Sequence, residues 1–278
     1  MRTREVPTAN EVEYYGYARW LANHVGFQNI PSTRIRFQHM WLWWPLEDRD
    51  IPFALDPSLK GFYKELCQNE QISEVVSRYT RAQAVGLPFI NFLWNEPKVE
   101  FQRNGKILYV PSHSNPWCDF SKKVHETVKA YTQDNRDITL LLSWNDQKLA
   151  GNYGLPFEIG AGVWEQTSFY RLRKIFSEYS YMLTSRMGSH VLYGLACGMK
   201  VGLCAQHWDD EIYHPHAIQH GLVERAKEIR SLKYLDDLFP GIVVENGLPT
   251  YDKCPEIMDT PPREIARLLE WPVDTLTA

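Results

Sequence analysis

Three short segments hold the residues whose types and spacing could do chemistry. The first is Thr184-Ser185-Arg186-Met187-Gly188-Ser189-His190, which follows an apolar run and leads into Val191-Leu192-Tyr193-Gly194. A strand that turns through a glycine into a helix presents unpaired N–H groups and the positive end of a dipole, which suits a phosphate. Gly188 lets the backbone approach an anion closely, and Ser185, Ser189 and His190 add side-chain donors. Arg186 could neutralise a second charge. The same pattern also describes an ordinary helix start with Ser189 as its cap.

The second segment is Pro111-Ser112-His113-Ser114-Asn115-Pro116, two hydroxyls and an imidazole held between prolines. His113 could donate to a phosphate or act as the acid toward a leaving group, because imidazole titrates near neutrality. Ser112 and Ser114 could equally be turn residues beside a solvated histidine. The third segment is Gln38-His39-Met40-Trp41, where His39 is a candidate general base toward an acceptor hydroxyl or a histidine packed on Trp41. Trp41 and Trp43 offer flat faces for stacking a sugar. Glu158 and Glu165 flank a glycine-rich turn. Either could serve as a carboxylate base or a ribose ligand, and Glu165 could simply favour a helix N-terminus.

Residues His207, Asp209, Asp210, His214, His216 and His220 are dense in metal-ligating types, but their spacing matches no zinc signature. No metal is expected. No P-loop, no GxSxG elbow and no strand-associated GxGxxG occurs, which weakens the kinase-like, esterase-like and dehydrogenase readings.

The elements that must position these residues fall into two halves. In the first, helices are expected over 11–25, 60–65 and 72–84, and strands over 34–38 and 89–94. Residues 95–105 read as a linker, dividing a domain of 1–100 from one of 101–278. Beyond it, strands at 106–110, 138–143, 181–184 and 200–205 alternate with helices at 120–132, 164–178 and 189–197. Closing helices are expected at 227–238 and 262–269. Such alternation signals βαβ units and a parallel sheet. Ligands of open parallel sheets bind outside the carboxyl ends of the strands, so the loops at 111–115, 144–146 and 185–190 should share one edge.

The 278 residues are 44% hydrophobic and 23% charged, which excludes disordered, collagenous and disulfide-dominated chains. A formal charge of -4 argues against a nucleic-acid partner. Five cysteines with no CxxC spacing fit a reducing compartment, with Cys197 and Cys204 as small buried hydrophobes. The N-terminus lacks an apolar secretion core, and no run reaches the roughly 20 apolar residues of a membrane span. A cytoplasmic protein is expected, able to touch a membrane that hosts its acceptor.

The words TSRMGSHVLYGLACGMKVGL, preceded by FSEYSYML, resemble the donor-site segment of GT-B-type glycosyltransferases from bacterial capsule and lipopolysaccharide gene clusters. ILYVPSHSN resembles the first strand and loop of their C-terminal domain, and AVGLPFINF a late strand of their N-terminal half. RFQHMW is similar to a Gln-His segment of that half. The resemblance spans about residues 33–205 and implies two Rossmann-like domains facing a cleft, the N-terminal one reduced. It further implies a nucleotide-sugar donor and a glycan or lipid-linked acceptor, with no cofactor and no metal. Ser189 and His190 would bind the donor phosphate, and His113 would be a phosphate contact or leaving-group acid. His39 or Glu158 would be the base. Two other readings stay open: a nucleotide-sugar epimerase on the same fold, and a non-catalytic GT-B-like protein that binds glycans or scaffolds an assembly.

Overall fold

The structure is a computed structural model that describes residues 14–38, 46–50, 64–111, 113, 121–132, 137–160, 162, 165–184, 187–203, 224, 243–245 and 248–275. In chain order the described elements begin with helix α1 (Tyr17–Val25), strand β1 (Ile35–Phe37) and strand β2 (Lys64–Cys67). Helix α2 (Glu70–Val76), strand β3 (Arg81–Ala84) and helix α3 (Pro88–Asn95) follow. Next come strand β4 (Asn104–Val110), helix α4 (Ser121–Thr132), strand β5 (Ile138–Leu142), a 3₁₀ turn (Trp144–Leu149) and strand β6 (Phe157–Ile159). Helix α5 (Ser168–Glu178), strand β7 (Tyr179–Thr184), helix α6 (Ser189–Ala196) and strand β8 (Lys200–Leu203) complete the alternating region. Strands β9 (Val243–Glu245) and β10 (Leu248–Tyr251) and helix α7 (Pro262–Leu268) close the chain. None of the described helices is long and apolar enough to cross a membrane.

The chain divides into two compact units. One comprises Met1–Lys98, Val163–Phe169 and Glu256–Ala278, and the other Val99–Gly162 and Tyr170–Pro255. The sequence division at 100/101 leaves residues 256–278 with the second half, whereas the chain returns them to the first. The physical reason is a set of specific contacts. Asn91 Nδ2 donates to Asp259 Oδ1 (2.9 Å) and to the Thr260 carbonyl (2.7 Å), and Asn91 Oδ1 accepts from the Tyr17 hydroxyl (2.9 Å). Trp271 meets Phe27 edge-on at 5.9 Å.

In this first unit β1, β2 and β3 form a parallel sheet. Its core is aromatic: Phe37 lies edge-on to Tyr17 at 5.2 Å, and Phe169 edge-on to Phe89 at 5.2 Å. Three sequence expectations fail here in whole or in part. The run 89–94 is helix α3 and not a strand, because Pro88 at its first turn presets helical φ and the helix is buried around most of its circumference. Its one buried polar residue, Asn91, sits among apolar neighbours, so no exposed polar face reveals the helical period. The helix expected at 60–65 gives way to a strand at Lys64–Cys67, and the one expected at 72–84 is helical through Val76 but gives way to a strand at Arg81–Ala84, where sheet pairing overrides local propensity. Asn69 caps α2 by accepting from the Ile72 N–H (2.9 Å).

The second unit is a mixed α/β layer dominated by parallel strands. Its described sheet runs β6-β5-β4-β7-β8-β10-β9, parallel from β6 to β8 and antiparallel across β10 and β9. Numbered within this unit, the parallel strands stand in the order 3-2-1-4-5, a doubly wound order compatible with a Rossmann-like fold. Tyr109, Leu140, Leu142 and Leu183 pack with Val124 and Val128 of α4 on one face. Arg103 braces the opposite end of the sheet, donating to the carbonyls of Tyr179 (2.9 Å) and Cys197 (2.6 Å). The short strand β6 and the β9–β10 pair were not expected from sequence. The helix expected at 227–238 and the end of the strand expected at 200–205 lie outside the described residues.

Candidate functional site

Strand order reverses between β4 and β7: the chain steps from β4 outward through β5 to β6, then returns to pair β7 on the other side of β4. At such a switch point the loops leaving adjacent strands diverge to opposite faces and open a crevice at the carboxyl edge. Val110 ends β4 and Thr184 ends β7, in register with each other. The loops 111–115 and 185–190 therefore start from neighbouring strand ends, and Trp144 starts from the next strand, β5, on the same edge.

Thr184 is fully buried and joins three elements. Its hydroxyl donates to the Val110 carbonyl at 2.9 Å and lies 2.9 Å from Nε2 of His190. A hydroxyl has one hydrogen, and a carbonyl can only accept. The Thr184 proton is thus committed to Val110, and His190 must donate through Nε2–H. This fixes the tautomer of the neutral ring and leaves Nδ1 as its acceptor position.

Gly188 stands at the N-cap of α6 with extended backbone (φ -178°), a conformation open to any residue. A Cβ there would stand 3.3 Å from both Cε1 and Nδ1 of His190, a tight contact that the imidazole would have to ease by a few tenths of an ångström. Ser189 is not the helix cap. Gly188 holds that position and no side chain caps the helix there. Gly188, Ser189 and His190 are half-buried, while Met187 is buried beneath them. A phosphate at this turn would meet main-chain N–H groups and the positive end of the α6 dipole.

His113 is exposed beyond the end of β4. Glu158 is elsewhere: it sits on β6, beside Leu141 of β5, so three strand spacings (about 14 Å) separate it from β7. It contributes instead to raising the Tyr179 phenol pKa, behind burial as the main cause. Glu165 is half-buried before α5 and accepts from the Thr167 hydroxyl (3.3 Å). His39, Trp41, Trp43, Ser112, Ser114, Ser185 and Arg186 lie outside the described residues, as does the histidine-rich segment 207–220. Among the described residues no cluster of His, Cys, Asp or Glu is arranged to hold a metal. The Cys197 thiol is pushed up to about 12, chiefly by burial, in keeping with a non-nucleophilic role.

No protein-family model and no curated protein matches this chain. Sequence reasoning named the β7–α6 loop but passed over Thr184, treating it only as the end of a strand. The available signal was a hydroxyl residue closing an apolar run, Tyr-Met-Leu-Thr, one turn ahead of a histidine.

The first unit holds a separate polar feature. Glu65 in β2 is buried, with Oε1 3.4 Å from Arg36 Nε in an ion pair that forms no hydrogen bond. Burial raises its carboxyl to about 7, against the opposing pull of Arg36. Gln38, also buried, accepts from the Gln68 N–H through Oε1 (3.2 Å) and ties the ends of β1 and β2 together immediately before His39.

Proposed function

We propose that this chain is a glycosyltransferase of the GT-B type, the type in which two Rossmann-like halves face a cleft. It moves a sugar from a nucleotide-sugar donor to a glycan or lipid-linked acceptor in surface polysaccharide assembly. The observation that carries the reading is the seating of His190 by Thr184 at the switch point, beside a helix start with no side-chain cap. A glycine-rich fingerprint is missing from the β4–α4 turn, which favours α6 over α4 as the phosphate-binding helix.

In the reaction the bond between the anomeric carbon and the phosphate oxygen breaks, and the acceptor oxygen bonds to that carbon. Negative charge grows on the departing nucleotide phosphate. The N–H groups of the first α6 turn and Ser189 stabilise it from fixed positions, so little reorganisation is needed as charge develops. His190, held through Nε2, turns Nδ1 toward this charge and donates to it when protonated. His113, from the neighbouring strand end, supplies a second contact or the acid. The acceptor proton passes to a base, for which His39 and Glu158 are the candidates.

Calorimetric titration with CMP-, UDP- and GDP-sugars, with EDTA present, tests the reading. Binding of one donor accompanied by its slow hydrolysis is expected. Absence of affinity for all three refutes it, and conversion to an epimerised donor would assign the epimerase alternative.

A further inference from the structure

Trp144 is 55% exposed, although its neighbours hold it in a fixed turn. Ser143 caps the 3₁₀ turn by accepting from the Asn145 N–H (3.1 Å), the Asp146 N–H donates to the Ser143 carbonyl (3.0 Å), and Asp146 itself is buried. An indole on a rigid, buried foundation with half its surface in water is costly in solvation and well suited to a flat partner. Its place in the sheet says which partner. Trp144 leaves the carboxyl end of β5, and β4 alone separates β5 from β7. Two strand spacings, about 10 Å, therefore lie between the indole and the start of the phosphate-binding turn.

We propose that Trp144 is the stacking platform for the donor's nucleobase. This rests on the reading of the β7–α6 turn as a nucleotide-phosphate site. The transferred sugar is bonded directly to phosphate and stays within about one strand of it. The base is separated from phosphate by the ribose, and is the part of the donor that reaches the next strand but one. Trp144 offers it an aromatic face without choosing among bases, because every base has a π face. Selection among nucleotides then falls to polar groups beside the indole, and Asn145 is the adjacent one on the same turn.

The test compares the wild type, Trp144→Phe and Trp144→Leu in titrations with nucleoside monophosphates and with ribose 5-phosphate, a ligand that keeps the phosphate and sugar but lacks the base. Stacking of this kind is worth about 1–3 kcal/mol per base. Trp144→Leu, which keeps apolar bulk without a π face, should weaken the preferred nucleotide by about 5- to 150-fold, and Trp144→Phe by about threefold or less. Ribose 5-phosphate should bind all three proteins alike. Equal nucleotide affinity in wild type and Trp144→Leu overturns the proposal while leaving the phosphate site standing. So does a parallel loss of ribose 5-phosphate, which would mean that the turn had been disturbed as a whole. Failure of the wild type to bind either ligand refutes the phosphate site, and the platform with it.

Discussion

Replacing Thr184 by valine removes one hydroxyl and keeps the side chain's shape. Two hydrogen bonds go with it, one to the Val110 carbonyl and one from His190 Nε2, at a position with no solvent to substitute for them. A typical intramolecular hydrogen bond is worth about 1 kcal/mol net, and a buried group left without a partner costs about 1–3 kcal/mol. The added methyl is apolar and recovers part of this. The expected loss is about 2 kcal/mol, or about 4–8 °C in the melting of a protein of this size. The larger effect should be on binding: His190, no longer tethered, loses its fixed orientation beside Gly188, and nucleotide affinity should fall by about tenfold, equivalent to ~1.4 kcal/mol. Thr184→Ser is the companion variant. It retains the hydroxyl and loses only a methyl, so it should melt lower than wild type while binding nucleotide within about threefold of it. Differential scanning calorimetry and isothermal titration read the two quantities separately. Native affinity in Thr184→Val, or equal loss in Thr184→Ser, would refute the claim that the hydroxyl seats the imidazole.

The double variant Ser189→Ala, His190→Ala should lose nucleotide binding with its melting temperature within a few degrees of wild type; unfolding instead would make both residues structural. Gly86→Ala should destabilise strongly, by about 2–4 kcal/mol in chemical denaturation, because φ is +95° there and the new Cβ would collide with the Met258 carbonyl oxygen. An unchanged midpoint would contradict the close packing of the C-terminal segment on that turn. Glu65 predicts a pH dependence. Its folded carboxyl, near 7, holds a proton more tightly than the unfolded one, near 4.5. Its stabilising contribution is therefore complete below about pH 4.5 and is lost as pH rises through 7, about 3 kcal/mol in all. Urea titrations at pH 5 and pH 8 should show that decline in wild type and a flatter profile in Glu65→Gln; matching profiles would assign the titration elsewhere.

The second unit was largely legible because its strands and helices alternate with clear punctuation. Gly198 closes α6 with φ +79°, and the apolar runs at 106–110, 138–143 and 181–184 are too short for helices. β6 escaped because three residues at a sheet edge, Phe157-Glu158-Ile159, carry too little pattern, and half of Phe157 remains in water. In the first unit the signals conflict. Phe89-Ile90-Asn91-Phe92 has strand-like composition, yet Pro88 starts a helix that aromatic neighbours bury. Arg81-Ala82-Gln83-Ala84 has helical composition, yet it pairs in parallel with β2. At the site, sequence identified the residues of the turn but not their bonding. Nothing in the string of letters distinguishes a serine that caps a helix from one that follows a glycine cap, or shows that a threonine six positions earlier dictates which imidazole nitrogen carries the proton.

The return of the chain's last segment to the first unit has a consequence for synthesis. Asn91 and Phe27 leave the ribosome well before Asp259, Thr260 and Trp271, the residues they contact in the folded unit. The first unit therefore lacks these closing contacts while the residues in between are being made. Cutting the gene near codon 100 to express the halves separately would leave the amino-terminal fragment without its closing clasp.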